Sequence, residues 1–240
     1  ELEKIVEASD AVMVARGDLA VEVGAEIVPV VQRQILTLCQ ERAKVSIVAT
    51  QMMMNMVNEP EPTRAEVNDV SHAAIMGADC VMLSDETANG KYPIKTVESM
   101  KRILLYTQTH IPSHALANPQ YLTSHSGAIS SAAVQLAKEL HVDAIVAETK
   151  TGATAHHLAA YRPLRPIISV TSDPRVAQQL TLLYATKSFL RPDGEKAGLK
   201  LAHDLVEKGY LPRPATVVLV SGRQPGVEGG TDTIRVRTIE

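Results

Sequence analysis

Short apolar runs alternate with amphipathic, helix-like segments along the whole chain. In the N-terminal part, residues 11–15, 45–49 and 80–83 are almost wholly apolar, and each run ends in polar side chains. Such runs are typical of parallel strands buried on both faces, with helices between them. The alternation therefore predicts an α/β fold with parallel strands.

The segments between these runs carry helix signals. Residues 27–38 place apolar side chains at helical spacing, and Thr63 with Glu66 has the spacing of a capping box ahead of a second apolar stripe. Pro93 suits the first position of a further helix. The Met52-Met53-Met54 run with Met56 is expected to pack in the core.

The composition changes at residues 107–126, where Thr, His, Pro, Ser, Asn and Gln dominate. We interpret residues 111–126 as a linker between a domain at 1–110 and a second domain at 127–240. The second domain is expected to hold a helix near 127–140, strands at 144–147, 166–170 and 217–220, a helix capped by Asp173 before Pro174, and a half-solvated edge strand at 233–239.

The composition argues against nucleic-acid binding, a membrane span and a cysteine-based metal or disulfide framework. The net charge is −3 and aromatic residues make up 3% of the 240 residues, which argues against a nucleic-acid partner. No apolar run approaches the ~18 residues of a membrane span. Cys39 and Cys80 lack CxxC spacing, so a disulfide framework or zinc site is not expected. The chain starts without Met, inside an amphipathic pattern, so we expect a fragment of a longer protein.

Polar residues at the ends of the first three predicted strands offer candidate chemistry, because active sites of α/β barrels lie there. Asp18 suits Mg²⁺, and Gly17 allows an anion to approach a backbone N–H. The Thr50 hydroxyl can donate to a carboxylate, while Ser84 and Glu86 can relay a proton. The alternative is that Arg-Gly-Asp is a simple turn and the other side chains cap helices.

A strand-to-helix turn in the second domain forms a candidate anion site. It contains Thr149, Thr151, Gly152 and Thr154, whose hydroxyl and N–H groups can bind phosphate. The alternative is a well-capped helix. Lys150, Arg162 and Arg165 are expected to form a small basic cluster suited to phosphate, and His156-His157 are not expected to share a metal.

Four motifs, in order and spacing, resemble pyruvate kinase. They are residues 14–19 (VARGDL), 49–52 (ATQM), 62–66 (PTRAE) and 82–88 (MLSDETA). Residues 155–165 and 231–236 resemble that family's C-terminal domain. The resemblance covers essentially the whole chain. It implies the last three βα units (about strands 6–8) of a (β/α)8 TIM barrel, followed by a C-terminal three-layer α/β domain that binds effectors.

The resemblance also implies an activity: Mg²⁺-dependent phosphoryl transfer between phosphoenolpyruvate and ADP, giving pyruvate and ATP in glycolysis. Members of the family are expected to be cytoplasmic, allosteric homotetramers that also use K⁺. Most K⁺ ligands, the essential lysine and the second Mg²⁺ carboxylate would lie outside this chain. Three strands cannot close a barrel, so we expect the isolated chain to be inactive.

The resemblance implies a role for each matched residue. Asp18 is expected to bind Mg²⁺, and the N–H groups of Gly17 and Asp18 with the Thr50 hydroxyl to hold the substrate carboxylate. Ser84 and Thr50 are expected in the network that protonates the enolate carbon. Arg64 is expected at a subunit interface, facing the neighbour's Arg-Gly-Asp segment. Asp85 stands where the family usually has Gly.

In the second domain the resemblance implies a sugar-phosphate or nucleotide effector at the 149–154 turn, with Arg223 and Gly226 of a Gly-rich loop as additional contacts. Two other functions stay open. The chain can be a non-catalytic module for effector binding and oligomerisation, or part of another barrel enzyme that binds phosphoenolpyruvate or pyruvate.

Overall fold

The computed structural model describes residues 1–111, 124–222 and 230–240. The chain divides into two compact units, Glu1–Leu116 and Ala117–Glu240, which we call unit 1 and unit 2. In the described residues, none of the helices combines the length and apolar character that crossing a bilayer requires.

Unit 1 contains a parallel three-stranded sheet in the order β1 (Ala11–Ala15), β2 (Val45–Ala49) and β3 (Cys80–Val81). Ala11 pairs with Val45, and Ile47 pairs with Cys80. The sheet is open, as expected for part of a barrel. The helices of this unit are α1 (Leu2–Ala8), α2 (Arg16–Val23), α3 (Val28–Glu41), α4 (Arg64–Ile75), α5 (Asp85–Ala88) and α6 (Pro93–His110), with a 3₁₀ turn at Met54–Val57.

Local signals account for where these helices start. The Thr63 hydroxyl accepts a hydrogen bond from the Glu66 N–H, and the Glu66 carboxylate accepts one from the Thr63 N–H. The predicted capping box is therefore confirmed at the start of α4. Pro93 occupies the first turn of α6, also as predicted.

Burial in unit 1 differs from the prediction at its edge strands. We expected all three strands to be buried on both faces, but Ala11 is exposed, the Met13 side chain is 48% exposed, and residues 80–83 of the third run are only half-buried. Val14 packs with Val6, Ile35 and Cys39 of α1 and α3, whereas Met13, the next residue along the strand, points to the opposite face of the sheet. The core prediction is confirmed for Met52, Met53 and Met56, which are fully buried, and it is wrong for Met54, which is 37% exposed.

Unit 2 contains a five-stranded sheet in the order β6–β5–β4–β7–β8. Its strands are β4 (Ala144–Glu148), β5 (Ile167–Thr171), β6 (Thr186–Leu190), β7 (Ala215–Gly222) and β8 (Thr231–Ile239), and its helices are α7 (His125–Glu139), α8 (Ala153–Ala160), α9 (Pro174–Gln179) and α10 (Ala197–Glu207). The first four strands in this order are parallel, and β8 pairs antiparallel with β7. The alternating pattern of β8 predicted an edge strand, and β8 lies at the edge of the sheet.

The central strands of unit 2 are covered on both faces. Ala144 and Val146 share a buried cluster with Leu201 and Leu205 of α10. The alternate residue Ile145 is also fully buried and points to the opposite face. Since α7 and α8 pack on these strands as well, the unit has the expected three-layer α/β arrangement.

The sequence pattern did not predict strand β6, helix α10 or the short 3₁₀ helix at Leu180–Leu182. Strand β6 has the sequence TKSFL, which lacks a continuous apolar run, and α10 follows a Pro/Gly-containing loop. Helix α6 continues to His110, the predicted end of the first domain, and α7 already begins at His125, so residues 125 and 126 of the predicted linker are helical. Residues 112–123 lie outside the described part of the chain.

Candidate functional site

The carboxyl ends of β1, β2 and β3 lie at one edge of the sheet in unit 1, because the strands are parallel. We call Arg16, Gly17, Asp18, Thr50 and Ser84, which follow these strands, the strand-end site. Arg-Gly-Asp is not a separate turn, since α2 begins at Arg16 directly after β1. Gly17 and Asp18 are exposed in the first turn of that helix.

The structure brings two predicted site residues, Gly17 and Thr50, into contact. The Gly17 N–H donates a hydrogen bond of 3.1 Å to the Thr50 hydroxyl oxygen. Thr50 and the following Gln51 both have left-handed backbone angles, with φ values of 67° and 53°. Such angles are uncommon for non-glycine residues and rare for a β-branched one. The hydroxyl is thereby directed at the start of α2.

Ser84 and Glu86 are connected through the backbone. The fully buried Glu86 carboxylate accepts hydrogen bonds from the Ser84 N–H at 2.7 Å and the Met53 N–H at 3.0 Å. This carboxylate therefore joins the loop after β2 to the loop after β3. Ser84 is half-buried at the N-terminus of α5 and makes no side-chain capping bond. The neighbouring Asp85 is exposed and accepts a bond from the Asn89 amide.

The Arg16 side chain has contacts that the sequence analysis did not anticipate. Its guanidinium donates to both carboxylate oxygens of Asp69 at 2.7 Å, to the Ala49 carbonyl at 3.1 Å and to the Thr50 carbonyl at 2.6 Å. Asp69 belongs to α4, whose exposed first residue is Arg64. No local sequence pattern indicates a pair separated by so many residues.

The candidate anion site of unit 2 is a turn between β4 and α8. The Thr149 hydroxyl accepts a hydrogen bond from the Gly152 N–H at 2.9 Å, and the hydroxyls of Thr154 and Thr231 are 2.6 Å apart. Thr151 is exposed. Gly152 has φ +90°, and a Cβ there would lie 3.0 Å from a Leu180 methyl, so the turn requires glycine.

A pocket opens beside this turn. Besides the threonines it is lined by Lys150, Arg191 and Asp193, and the last two follow the unpredicted strand β6. At the pocket wall the Glu148 carboxylate accepts a 2.6 Å bond from the Gly198 N–H in the first turn of α10. Arg223 and Gly226, the other expected contacts, lie outside the described residues.

The prediction of a basic cluster in unit 2 is wrong for Arg162. Arg162 is buried with 3% exposure, and its guanidinium lies 5.0 Å from the centre of the Tyr184 ring. It also donates to the Ala159 carbonyl, so it serves the core rather than a phosphate-binding surface. Lys150 is exposed at the pocket and remains available to an anion.

Among the described residues, three ionisable groups have clearly displaced pKa values. Burial, with a smaller effect of Asp79, raises the pKa of the Cys80 thiol to about 11, so this thiol is protonated at neutral pH. Burial, with the neighbouring His156, lowers the pKa of His157. Burial raises the pKa of Tyr161, partly offset by a hydrogen bond with Ser131. None of the three belongs to the strand-end site.

Known families match both units. A family model described as "Pyruvate kinase, barrel domain" matches residues 1–97, and one described as "Pyruvate kinase, alpha/beta domain" matches residues 127–237. The chain belongs to the pyruvate kinase family. Pyruvate kinase 2 of Synechocystis sp. is 40% identical over 245 residues, which cover 100% of this chain and 41% of the relative.

Pyruvate kinases of Mycobacterium intracellulare and Agrobacterium vitis are each 39% identical, over 99% and 98% of this chain and 51% of each relative. The chain therefore spans about half the length of the pyruvate kinases it matches. The matched part of the barrel domain carries the strand-end site, and the matched α/β domain carries the threonine turn.

The residues present suit one part of a pyruvate kinase magnesium site. Asp18 offers an exposed carboxylate, the kind of hard oxygen ligand that Mg²⁺ takes together with substrate oxygens. Within residues 1–111, 124–222 and 230–240, no group of three or more His, Cys, Asp and Glu side chains could hold a metal. Asp18 thus fits as a single ligand in a set that this part of the chain does not complete.

Proposed function

We propose that this chain is the C-terminal part of a pyruvate kinase subunit, acting in the transfer of the phosphoryl group of phosphoenolpyruvate to ADP. The contact between the Gly17 N–H and the Thr50 hydroxyl is the observation that carries this proposal. It joins the start of α2, where Asp18 is also found, to the residue that follows β2. In phosphoryl transfer, positioning and charge neutralisation supply most of the catalysis.

Each residue of the strand-end site has a proposed task. The N–H groups of Gly17 and Asp18 and the Thr50 hydroxyl bind the carboxylate shared by phosphoenolpyruvate and pyruvate. In the complex the Gly17 N–H shares its hydrogen between the Thr50 oxygen, to which it donates in the free chain, and the substrate carboxylate. Thr50 and Ser84 belong to the network that delivers a proton to the enolate carbon after the phosphoryl group has left. A magnesium ion held partly by Asp18 would neutralise charge on the transferred group, and K⁺ would be bound mainly by residues outside this chain.

To test the proposal, this chain is joined to the N-terminal part of a related pyruvate kinase, which precedes the segment that the chain matches. A chimera joins the N-terminal part of the Synechocystis pyruvate kinase to this chain, and pyruvate formation is followed with phosphoenolpyruvate and ADP. We expect background turnover for the isolated chain and activity for the chimera. Asp18→Asn in the chimera should lower kcat by about 100-fold, since metal-centred charge stabilisation is worth several kcal/mol.

Glu22→Gln is the matched control, because Glu22 is an exposed carboxylate on the same helix. It should leave kcat unchanged. A folded chimera without turnover, or turnover by the isolated chain, contradicts the proposal. A homotetramer with Arg64 at a subunit interface and a cytoplasmic location belong to the same proposal. The mass of the chimera in solution checks the oligomeric state, and Arg64→Ala should lower that mass if Arg64 supports the interface.

A second candidate function is supported by the pocket of unit 2. The exposed Thr151 and Lys150 line a pocket beside a helix N-terminus, which suits the phosphate of a sugar-phosphate or nucleotide effector. Calorimetric titration of the chain with glucose 6-phosphate and with AMP tests this role. Thr151→Ala and Arg223→Ala should weaken binding, whereas Thr181→Ala, at another exposed threonine of unit 2, should not. Equal affinity in all variants removes the assignment.

A further inference from the structure

The Arg16 guanidinium contacts both ends of the Thr50 residue at once. Its Nε–H donates to the Ala49 carbonyl at 3.1 Å, and its terminal N–H groups donate to the Thr50 carbonyl at 2.6 Å and to the Met52 sulfur at 3.0 Å. The two carbonyls belong to the peptide groups before and after Thr50. A side chain bound to both fixes the orientation of Thr50 relative to β2.

Thr50 needs such a restraint because its backbone is in an unfavourable region. Left-handed angles at Thr50 and Gln51 persist only where surrounding contacts enforce them. In this conformation the Thr50 hydroxyl lies 3.1 Å from the Gly17 nitrogen. If the loop relaxed to negative φ, the hydroxyl would leave the start of α2.

Asp69 in turn fixes Arg16. Both carboxylate oxygens of Asp69 lie 2.7 Å from one guanidinium nitrogen, Nη1, while Nε and Nη2 remain on the backbone around Thr50. The two side chains are 16% and 31% exposed, so solvent screens this pair only partly. Lysine has a single nitrogen and cannot contact Asp69 together with the Ala49 and Thr50 carbonyls, which Arg16 reaches with three nitrogens.

We propose that Arg16 and Asp69 are positioning residues that hold the Thr50 hydroxyl at the strand-end site. The pair acts through the backbone on either side of Thr50, and neither side chain is assigned a contact with substrate. The catalytic consequence rests on the proposed function, whereas the structural consequence concerns this chain alone. The two are therefore tested separately.

The first test measures amide hydrogen exchange of Gly17 in the 240-residue chain by NMR. Thr50→Val removes the acceptor and should raise the exchange rate about tenfold, the effect of losing one hydrogen bond. Arg16→Lys and Asp69→Asn should produce a similar rise while the other amides of unit 1 keep their rates. Arg42→Lys, in the ion pair with Glu7 elsewhere in unit 1, is the matched control and should change nothing at Gly17.

Unchanged Gly17 exchange in Arg16→Lys and Asp69→Asn overturns the proposal, whatever the activity of the enzyme. A rise of exchange throughout unit 1 also overturns it, because the pair would then support general stability rather than this loop. Arg42→Lys guards against an unspecific effect of replacing a paired arginine.

The second test uses the active chimera and a double-mutant cycle. Arg16→Lys should raise the KM for phosphoenolpyruvate about tenfold or more with the KM for ADP unchanged, since small misplacements of positioning groups are costly. Added to Thr50→Val, the same change should have little further effect, because the hydroxyl that it positions is gone. Full additivity contradicts positioning through Thr50. An inactive parent chimera counts against the proposed function and leaves the exchange result valid.

Discussion

The two parallel sheets use similar apolar strands and bury them to different extents. In unit 2, residues Ala144–Ala147 of β4 are fully buried, because helices cover both faces and strands flank both sides. In unit 1, β1 has an equally apolar sequence, yet Val14 is buried while Met13 is half-exposed. An apolar run therefore predicts a strand, but the neighbouring helices and strands determine whether its side chains are buried.

The edges of the two sheets also differ. Strand β8 alternates, and its outward positions include the exposed Asp232 and the charged side chains of Arg235 and Arg237. Charged side chains of this kind discourage pairing with another sheet. Strand β1 instead exposes Ala11 and Met13. The proposed function accounts for this difference, since preceding barrel strands of a pyruvate kinase would pair with β1.

The largest expected effect tests the burial difference directly. Ile145→Ala in β4 should destabilise unit 2 by about 3 kcal/mol, the usual cost of emptying a buried aliphatic site. Met13→Ala in β1 should cost less than about 0.5 kcal/mol in the isolated chain, as is usual for exposed positions. Hydrogen-exchange mass spectrometry resolves the two units by peptide. Equal costs would remove the distinction between the sheets.

A smaller loss of stability is expected in unit 1, where the Glu86 carboxylate joins the loop after β2 to the loop after β3. Glu86→Ala leaves the Ser84 and Met53 N–H groups without their carboxylate, so we expect a loss of about 2 kcal/mol, as for hydrogen bonds to charged groups. Asp85→Ala is the control, because this neighbouring carboxylate is exposed. Peptides spanning 50–57 and 82–89 should report the change by faster exchange. A stability equal to that of Asp85→Ala contradicts a connecting role for Glu86.

The smallest expected effect is a pH dependence confined to unit 2. Burial lowers the pKa of His157 in the folded state, so on acidification the unfolded chain takes up the proton first. Unit 2 should therefore lose a little stability as the pH falls below the usual histidine range. His157→Gln should remove that loss in urea unfolding, whereas His203→Gln, at an exposed histidine of α10, should retain it. An identical pH profile in both variants contradicts the prediction.

Features set by neighbouring residues were predictable from the sequence. The capping box at Thr63, the position of Pro93 and the cap at Asp173, whose carboxylate accepts from the Arg175 and Val176 N–H groups, are confirmed. Each depends on residues within about one helical turn. The strand ends carrying Gly17 and Thr50 could be placed for the same reason, since strand boundaries follow the apolar pattern.

Features set by distant residues could not be predicted. The Arg16–Asp69 pair and the bonds of Glu86 join loops that the fold brings together. Strand β6 is a strand because it pairs with β5, and its own composition gives no indication of this. Exposure of β1 likewise depends on what lies beside it. Tertiary contacts override local preference in each case.

At Thr50 and Gln51 the left-handed backbone lowers the stability of the loop while it holds the Thr50 hydroxyl near Gly17. Each such residue costs of order 1–3 kcal/mol. Glycine at position 50 would relieve that cost, and it would also delete the hydroxyl that reaches Gly17. Substitutions that favour a more stable loop and substitutions that preserve the hydroxyl therefore exclude one another at this position. A protein engineered only for thermal stability would tend to lose the bond between this hydroxyl and the Gly17 N–H.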